Sequence, residues 1–213
     1  DVITFNIAPG GFQSIQPFVQ LPELTDPAGV TIDGFTQPGG ASAGANPPLT
    51  ATLLIEINGS MCISGPPLFT CHGLVIRSPN NIIRGLIINN FKQDGILVRP
   101  TPTRTFNNMI YCNFIGTDPT GTLIQWNGQD MTQLWAGVYI GALNAGTAYN
   151  NTVSSNLVSG NYAEGVGIMS CPPAVDVYSN QVIHNYIGTD KTGIVPMGDI
   201  HDGVYIGEGA HHN

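Results

Sequence analysis

One nine-residue stretch decides the fold because it stands twice in the chain: Asn113-Phe-Ile-Gly-Thr-Asp-Pro-Thr-Gly121 and Asn185-Tyr-Ile-Gly-Thr-Asp-Lys-Thr-Gly193. Repetition of this kind indicates a solenoid, in which each repeat buries its apolar face only against its neighbours. The sequence around the two copies is repetitive as well, so the same interpretation extends along most of the chain.

Two short motifs alternate along residues 81–206. The first is Asn-x-Ile/Val, and the second is Gly followed by two apolar residues that alternate with a variable one. They begin at Asn81, Gly95, Asn108, Gly137, Asn151, Gly165, Asn180 and Gly203. Successive Asn motifs lie 27, 43 and 29 residues apart. Short runs with period-two alternation between Gly and Asn turns predict strands, and no segment has helical periodicity.

The pattern predicts an all-β fold, a right-handed single-stranded parallel β-helix of about six coils. Each strand would pair with the equivalent strand one coil away, about 4.8 Å distant. We expect Asn113, Asn156 and Asn185 to share a turn position and to hydrogen-bond from coil to coil. Inward residues would form four columns: Ile83/Ile110/Val153/Val182, Ile88/Ile115/Val158/Ile187, Ile96/Val138/Val166/Val204 and Val98/Ile140/Ile168/Ile206.

Several longer strings carry a family resemblance. They are Leu21-Pro22 with Thr25-Asp-Pro27, Thr31-Ile-Asp-Gly-Phe-Thr-Gln-Pro-Gly39, Ile83-Arg-Gly-Leu-Ile-Ile-Asn-Asn-Phe91 and the two Gly-Thr-Asp-x-Thr-Gly copies. Together they resemble the bacterial and archaeal parallel β-helix repeat proteins, secreted or surface-exposed, of the pectate-lyase-like superfamily. The resemblance covers nearly the whole chain and implies the fold. It leaves the activity open, because this fold hosts lyases, epimerases, hydrolases, adhesins and passive surface proteins.

We interpret residues 1–213 as a single β-helix domain. Residues 1–80 would form less regular coils, residues 81–213 regular ones, and residues 117–135 an insertion outside the core. The sequence stops where another Asn-x-Ile/Val strand should begin, which favours a fragment of a longer β-helix. The alternative is end-to-end self-association through an exposed strand edge.

Charge and hydropathy exclude two kinds of partner. Only 9% of the residues are charged, the net charge is −8, and the six Lys and Arg residues form no basic stripe. Nucleic-acid binding is therefore not expected. No apolar run approaches the roughly 20 residues that span a bilayer, so no membrane span is expected.

The four cysteines point to an oxidising compartment. An even number in a chain that is poor in Lys and rich in Asn favours an extracellular or cell-surface location. Cys62 and Cys71 flank a Pro-containing loop and are predicted to form a disulfide. Cys112 and Cys171 are either two buried free thiols or a second disulfide.

The best candidate for a ligand site is the outward side of the Gly-Val-x-Ile strands. Aromatic faces stack on sugar rings, and carboxylates hydrogen-bond hydroxyls or hold Ca²⁺. The alternative is that the acidic residues only cap a turn and the tyrosines are ordinary exposed strand residues. The column before each Gly reads Asp94, Ala136, Glu164 and Asp202, and the candidate ligand-binding residues are Trp135, Tyr139, His201 and Tyr205.

An enzyme would need a catalytic set within this face. The candidates are Asp94, Arg99, Glu164 and Asp202. The elimination chemistry of pectate lyases needs a basic residue beside carboxylates that hold Ca²⁺, and only Arg99 lies close to the carboxylate column. Glycoside hydrolysis needs two carboxylates about 5–10 Å apart, a spacing that Glu164 and Asp202 in adjacent coils would satisfy.

The repeated Gly-Thr-Asp loops have a structural and a metal-binding interpretation. Asp118 and Asp190 suit Asx turns that are followed by Gly121 and Gly193. Turn carboxylates and carbonyls are also ligands that Ca²⁺ accepts, which makes Ca²⁺ the one cofactor that the sequence suggests.

Two functions therefore stand side by side. The favoured one is an extracellular or cell-surface module with a structural, adhesive or carbohydrate-binding role, whose partner would be a polysaccharide or a surface glycan. The alternative is a polysaccharide-active lyase, epimerase or glycoside hydrolase that uses the carboxylate and tyrosine face.

Overall fold

The computed structural model describes residues 1–63, 70–100, 104–130, 133, 135–142, 145–170 and 175–213. These residues form short strands and two 3₁₀ helices, Gly34–Thr36 and Gly59–Met61. The strands are β1 (Val2–Thr4), β2 (Gln13–Ile15), β3 (Thr31–Asp33), β4 (Ile55–Asn58), β5 (Leu74–Ile76), β6 (Ile82–Arg84), β7 (Leu86–Asn89), β8 (Ile96–Val98), β9 (Arg104–Phe106), β10 (Met109–Tyr111), β11 (Phe114–Ile115), β12 (Val138–Ala142), β13 (Gly146–Tyr149), β14 (Thr152–Ser154), β15 (Leu157–Val158), β16 (Val166–Ser170), β17 (Val175–Tyr178), β18 (Gln181–Ile183), β19 (Tyr186–Ile187) and β20 (Val204–Gly207).

These strands stack into four parallel sheets. The first sheet has the order β1-β3-β6-β10-β14-β18, the second β2-β4-β7-β11-β15-β19, the third β5-β8-β12-β16-β20 and the fourth β9-β13-β17. The chain visits the sheets in turn and then returns one position further along each of them. This is the topology of a parallel β-helix with six coils, as predicted.

The register confirms the four apolar columns. Val153, for example, pairs with Ile110 on one side and Val182 on the other. Residues of the third to fifth coils in these columns are almost completely buried, and together they form the main core cluster. In the sixth coil nothing covers the inward side, so Val204 and Ile206 are 41% and 48% exposed.

Tight turns separate the first sheet from the strands before it. The residues that precede the Asn-x-Ile/Val motifs have φ between 53° and 61°: Asn80, Asn107, Asn150 and Ser179. Asn tolerates this left-handed conformation better than most side chains because its short amide can bond locally. A single left-handed residue thus turns the chain at the same point in each coil.

Asparagines connect the coils at the turns on either side of the first sheet, and all of them are buried except the half-buried Asn185 and the exposed Asn213. Each Asn in one row accepts from the backbone N–H and the side-chain amide of the Asn one coil earlier, with amide-to-amide distances of 2.8–2.9 Å. The row is Asn81, Asn108, Asn151, Asn180 and Asn213. Asn113, Asn156 and Asn185 form the second row, as predicted. Buried amides with full sets of partners fix the register.

A third row lies between the second and third sheets, where the sequence predicted an insertion. The side-chain amide of Asn127 donates to Asn161, and that of Asn161 donates to Asp199. Asn127 is completely buried and also donates to the carbonyl of Ile88. The expectation that residues 117–135 lie outside the core is therefore wrong for Asn127, which serves as a rung of the coil.

The N-terminal residues follow the same plan as the others. β1 pairs with β3, and β2 pairs with β4, so the first 80 residues supply the first two coils with longer loops between the strands.

A disulfide joins Cys62 to Cys71, whose Cα atoms are 6.2 Å apart. Cys112 is a buried free thiol, and Cys171 lies outside the described residues. Throughout the described ranges, no helix has the length and apolar character that crossing a membrane requires.

Candidate functional site

The outward side of the third sheet carries most of the candidate residues. Parallel register aligns one column, one residue per coil from the second coil to the sixth: Val75, Leu97, Tyr139, Gly167 and Tyr205. A second column follows two residues further along each strand: Arg77, Arg99, Gly141, Met169 and Gly207. We call these two columns the outer face.

In the C-terminal half of the outer face, two tyrosine rings lie over glycine residues. A Cβ added to Gly167 would lie 3.4 Å from Cδ2 of Tyr139, and one added to Gly141 would lie 3.1 Å from Cε1 of the same ring. The ring of Tyr139 therefore lies over the backbone of two strands. Tyr205 folds over Gly207 in the same way, with its Cε1 2.6 Å from the site of a Cβ. Glycine lets both half-buried rings lie against the sheet.

The acidic column beside this face is only partly accessible. Backbone hydrogen bonds place Ala136 between Asp94 and Glu164, so that these two carboxylates lie two coils, or about 9.6 Å, apart. Asp94 and Glu164 are 2% and 5% exposed, whereas Asp202 and its neighbour His201 are exposed. Only Glu164 and Asp202 occupy adjacent coils.

A histidine that the sequence analysis missed explains why Asp94 is buried. Nδ1 of His72 lies 3.1 Å from one carboxylate oxygen of Asp94, and the backbone N–H of Ala136 donates to the other at 2.7 Å. The ring of Trp135 meets His72 edge to face, with centroids 5.5 Å apart. Gly73-Leu-Val-Ile76 has the form of the second motif, so His72 could have been found at the position that precedes its glycine.

The N-terminal half of the outer face carries positive charge. A small cleft of about 30 Å³ is lined by Gln20, Glu23, His72, Arg77, Leu97 and Arg99, among others. Arg77 is paired with Glu23. The guanidinium of Arg99 is half-buried and has no hydrogen bond or ion pair with any side chain in the described parts of the chain. Two of the six basic residues of an acidic protein thus meet in one cleft.

The carboxylates of the Gly-Thr-Asp loops are engaged within their own loops. Asp118 accepts from the hydroxyl of Thr120 and from the backbone N–H groups of Thr122 and Leu123. Burial acts to raise the pKa of Asp118, but these hydrogen bonds outweigh it and lower the pKa. Asp190 repeats the arrangement with Thr192, Ile194 and Val195. The described residues contain no cluster of three or more metal-ligating side chains.

The candidate catalytic carboxylates differ in accessibility and in their partners. Asp94 is occupied by His72 and Ala136, and Asp202 is the exposed member of the adjacent pair with Glu164. The half-buried side chains of Arg99, Tyr139 and Tyr205 lie on the outer face in the third, fourth and sixth coils. Comparisons of this chain with protein-family models, with curated proteins and with solved structures found no match.

Proposed function

We propose that the protein is an extracellular or cell-surface β-helix module that binds a glycan along the outer face. The observation that carries the proposal is that the rings of Tyr139 and Tyr205 lie against glycine backbone, in the column next to Arg99, whose guanidinium has no side-chain partner within the described residues. Aromatic rings held in this way present apolar faces to sugar rings. Two coils separate the tyrosines, a distance of about 9.6 Å that suits every second sugar of an extended chain.

Arg99 should give the outer face a preference for glycans that carry acidic groups. A guanidinium forms paired hydrogen bonds with carboxylate or sulfate groups and stacks on planar groups. Because the net charge of the protein is −8, long-range attraction for a polyanion is weak, and a local contact with Arg99 must supply the recognition. We therefore expect a glycan that carries acidic groups at intervals.

Location and family belong to the same proposal. The Cys62–Cys71 disulfide supports an oxidising environment outside the cell. The parallel coils and the motifs quoted above support a relationship to the pectate-lyase-like superfamily.

The test is a glycan-array screen with and without millimolar Ca²⁺, followed by calorimetry on the best oligosaccharide. Tyr139→Ala and Tyr205→Ala should each weaken binding about tenfold, or about 1.4 kcal/mol, because aromatic side chains dominate such contacts. Arg99→Gln should weaken acidic ligands and leave neutral ones unchanged. Tyr111→Ala, on the first sheet, is the matched control and should bind normally. Equal loss in all four variants, or no binding to any glycan, would overturn the proposal.

An enzymatic role is the second candidate, and the His72–Asp94 pair beside Arg99 favours it. A carboxylate beside a histidine is a common arrangement for proton transfer, and His72 lines the cleft together with Arg99. The ultraviolet absorbance of an unsaturated product, or new reducing ends, would reveal turnover of any glycan that binds. Activity that His72→Gln abolishes while binding persists would establish this role. Binding without product would leave the binding module.

A further inference from the structure

The third row of buried side chains ends differently from the other two. Its last member is Asp199, whereas the other two rows consist of asparagines only. Asn161 donates both its backbone N–H, at 2.7 Å, and its side-chain amide, at 3.0 Å, to the same oxygen, Oδ1 of Asp199. An asparagine could have served as this acceptor without carrying a charge, so the acid needs a separate explanation.

The second oxygen of Asp199 has no donor. Oδ2 of Asp199 and Oε2 of Glu164 are both buried, and neither has a hydrogen-bond partner. Glu164 as a whole is 5% exposed. Two buried carboxylate oxygens without donors are costly, because each has lost water and gained nothing in exchange.

Nothing of opposite charge is paired with these two acids. The turns that pack together here, residues 161–164 and 197–202, contain three other titratable groups, Tyr162, His201 and Asp202. His201 and Asp202 are exposed, and within the described residues neither Asp199 nor Glu164 forms a salt bridge. A proton is the simplest counter-charge for such a pair.

We propose that the carboxyl of Asp199, next to the charge of Glu164, keeps a proton and acts as a pH-sensitive latch for the sixth coil. The turn that carries Asp199 is docked on the fifth coil by backbone bonds from Ile200 to Asn161 and from His201 to Ala163. When the proton is present, the two acids hold these turns together. When it leaves, two buried negative charges repel each other, and the turn and β20 loosen.

The direction of the effect follows from the electrostatics. Burial, reinforced by the charge of Glu164, raises the pKa of Asp199 from 3.8 to about 7, although its hydrogen bonds from Asn161 act in the opposite direction. The folded protein therefore keeps a proton that the unfolded chain releases near pH 4. The stabilisation is complete below pH 4 and is lost as the pH rises through about 7.

The latch does not depend on the proposed function, but it would influence it. β20 carries Tyr205, so loosening of the sixth coil would displace one of the two aromatic platforms. If the outer face binds a glycan, binding should weaken above neutral pH, whereas the latch would exist even if no glycan bound.

The test is thermal unfolding between pH 5 and pH 9, followed by circular dichroism, with a ¹³C NMR titration of the aspartate carboxyls. We expect the unfolding temperature of the wild type to fall as the pH rises from 5 to about 7 and to level off above that value. Asp199→Asn should remove this fall and be the more stable protein at pH 9. Glu164→Gln should move the titration of Asp199 to lower pH, because the neighbouring charge is gone.

Two results would overturn the proposal. One is an Asp199→Asn variant whose pH profile parallels that of the wild type. The other is a rise in the unfolding temperature of the wild type at pH 8 on addition of millimolar Ca²⁺ that Asp199→Asn lacks, which would show a cation site in place of a proton on Asp199. Should Asp199→Asn fail to fold, the NMR titration of the wild type and of Glu164→Gln decides the question. A carboxyl of Asp199 that titrates near pH 4 contradicts the latch.

Discussion

The inward and outward sides of the third sheet differ in how strictly the coils repeat. The inward columns carry only Leu, Ile or Val in every coil, from Leu74 to Val204 and from Ile76 to Ile206. The outward column reads Val, Leu, Tyr, Gly and Tyr over the same strands. Packing against the neighbouring coils restricts the inward side, whereas the outward side is free to differ from coil to coil. Variation on an otherwise regular solenoid therefore indicates where function can lie.

The largest loss in the free energy of unfolding should come from placing a charge in an inward column of apolar side chains. Val153 is completely buried between Ile110 and Val182. Val153→Asp would bury a charge without a partner, and we expect a loss of more than about 3 kcal/mol in the free energy of unfolding. Denaturant unfolding followed by circular dichroism measures it. Unchanged stability would mean that the register described above is wrong.

The next largest loss of stability should distinguish a buried residue from an exposed residue of the segment 117–135. Asn127→Ala removes a buried rung and leaves the backbone N–H of Phe91 without its acceptor, which should cost about 1–3 kcal/mol. Leu123, in the same segment, is 64% exposed, and Leu123→Ser should change stability by less than about 0.5 kcal/mol. Equal losses in the two variants, measured by chemical denaturation, would contradict the division of the insertion into a rung and a loop.

A smaller loss of stability should appear at acidic pH. The repeated Gly-Thr-Asp loops should lose stability as the pH falls, whereas the latch loses stability as the pH rises. The pKa of Asp118 lies below its ordinary value of 3.8, so its stabilising contribution is present above about pH 4 and is lost as the pH falls through the lower folded value. Asp118→Asn should flatten the decline in unfolding temperature between pH 5 and pH 2. An acid decline that is as steep in the variant as in the wild type would show that the loop contributes nothing to it.

The smallest effect on stability should come from the outer face. Tyr139 and Tyr205 are half-buried and lie against glycine backbone, so replacing either with Ala should lower the free energy of unfolding by less than about 1.5 kcal/mol. Ligand affinity should nevertheless fall about tenfold. A loss of stability as large as that of Val153→Asp would mean that the tyrosines are structural and that the outer face has no special role.

The sequence was sufficient for the regular part of the fold because the same physical demand recurs at the same place in each coil. Ile83, Ile110, Val153 and Val182 could be aligned because they follow a turn asparagine at constant spacing. The third row was harder to recognise. Asn127 and Asp199 both lie 14 residues after the Asn that opens the repeated stretch, but Asn161 lies only 5 residues after Asn156, and the row ends in an acid in place of an asparagine.

The candidate site was predictable in outline only. The alternation of the strands was enough to place Tyr139 and Tyr205 on one surface. The column before each Gly could have been extended to His72, but the burial of Asp94 against it depends on packing that the motif alone does not give. The unusual state of Asp199 depends on desolvation and on the nearby charge of Glu164, neither of which can be read from residue types alone.

The most direct test of the central claim, that function lies on the outer face, is a chemical-shift map of the bound glycan. Amide resonances of the ¹⁵N-labelled protein would be followed during titration with the best oligosaccharide from the array. We expect the largest shifts in residues 96–99, 138–141, 166–169 and 204–207 and no significant shifts in residues 109–111 and 152–154 of the first sheet. Shifts that cluster on the first sheet or on the Gly-Thr-Asp loops would contradict the account.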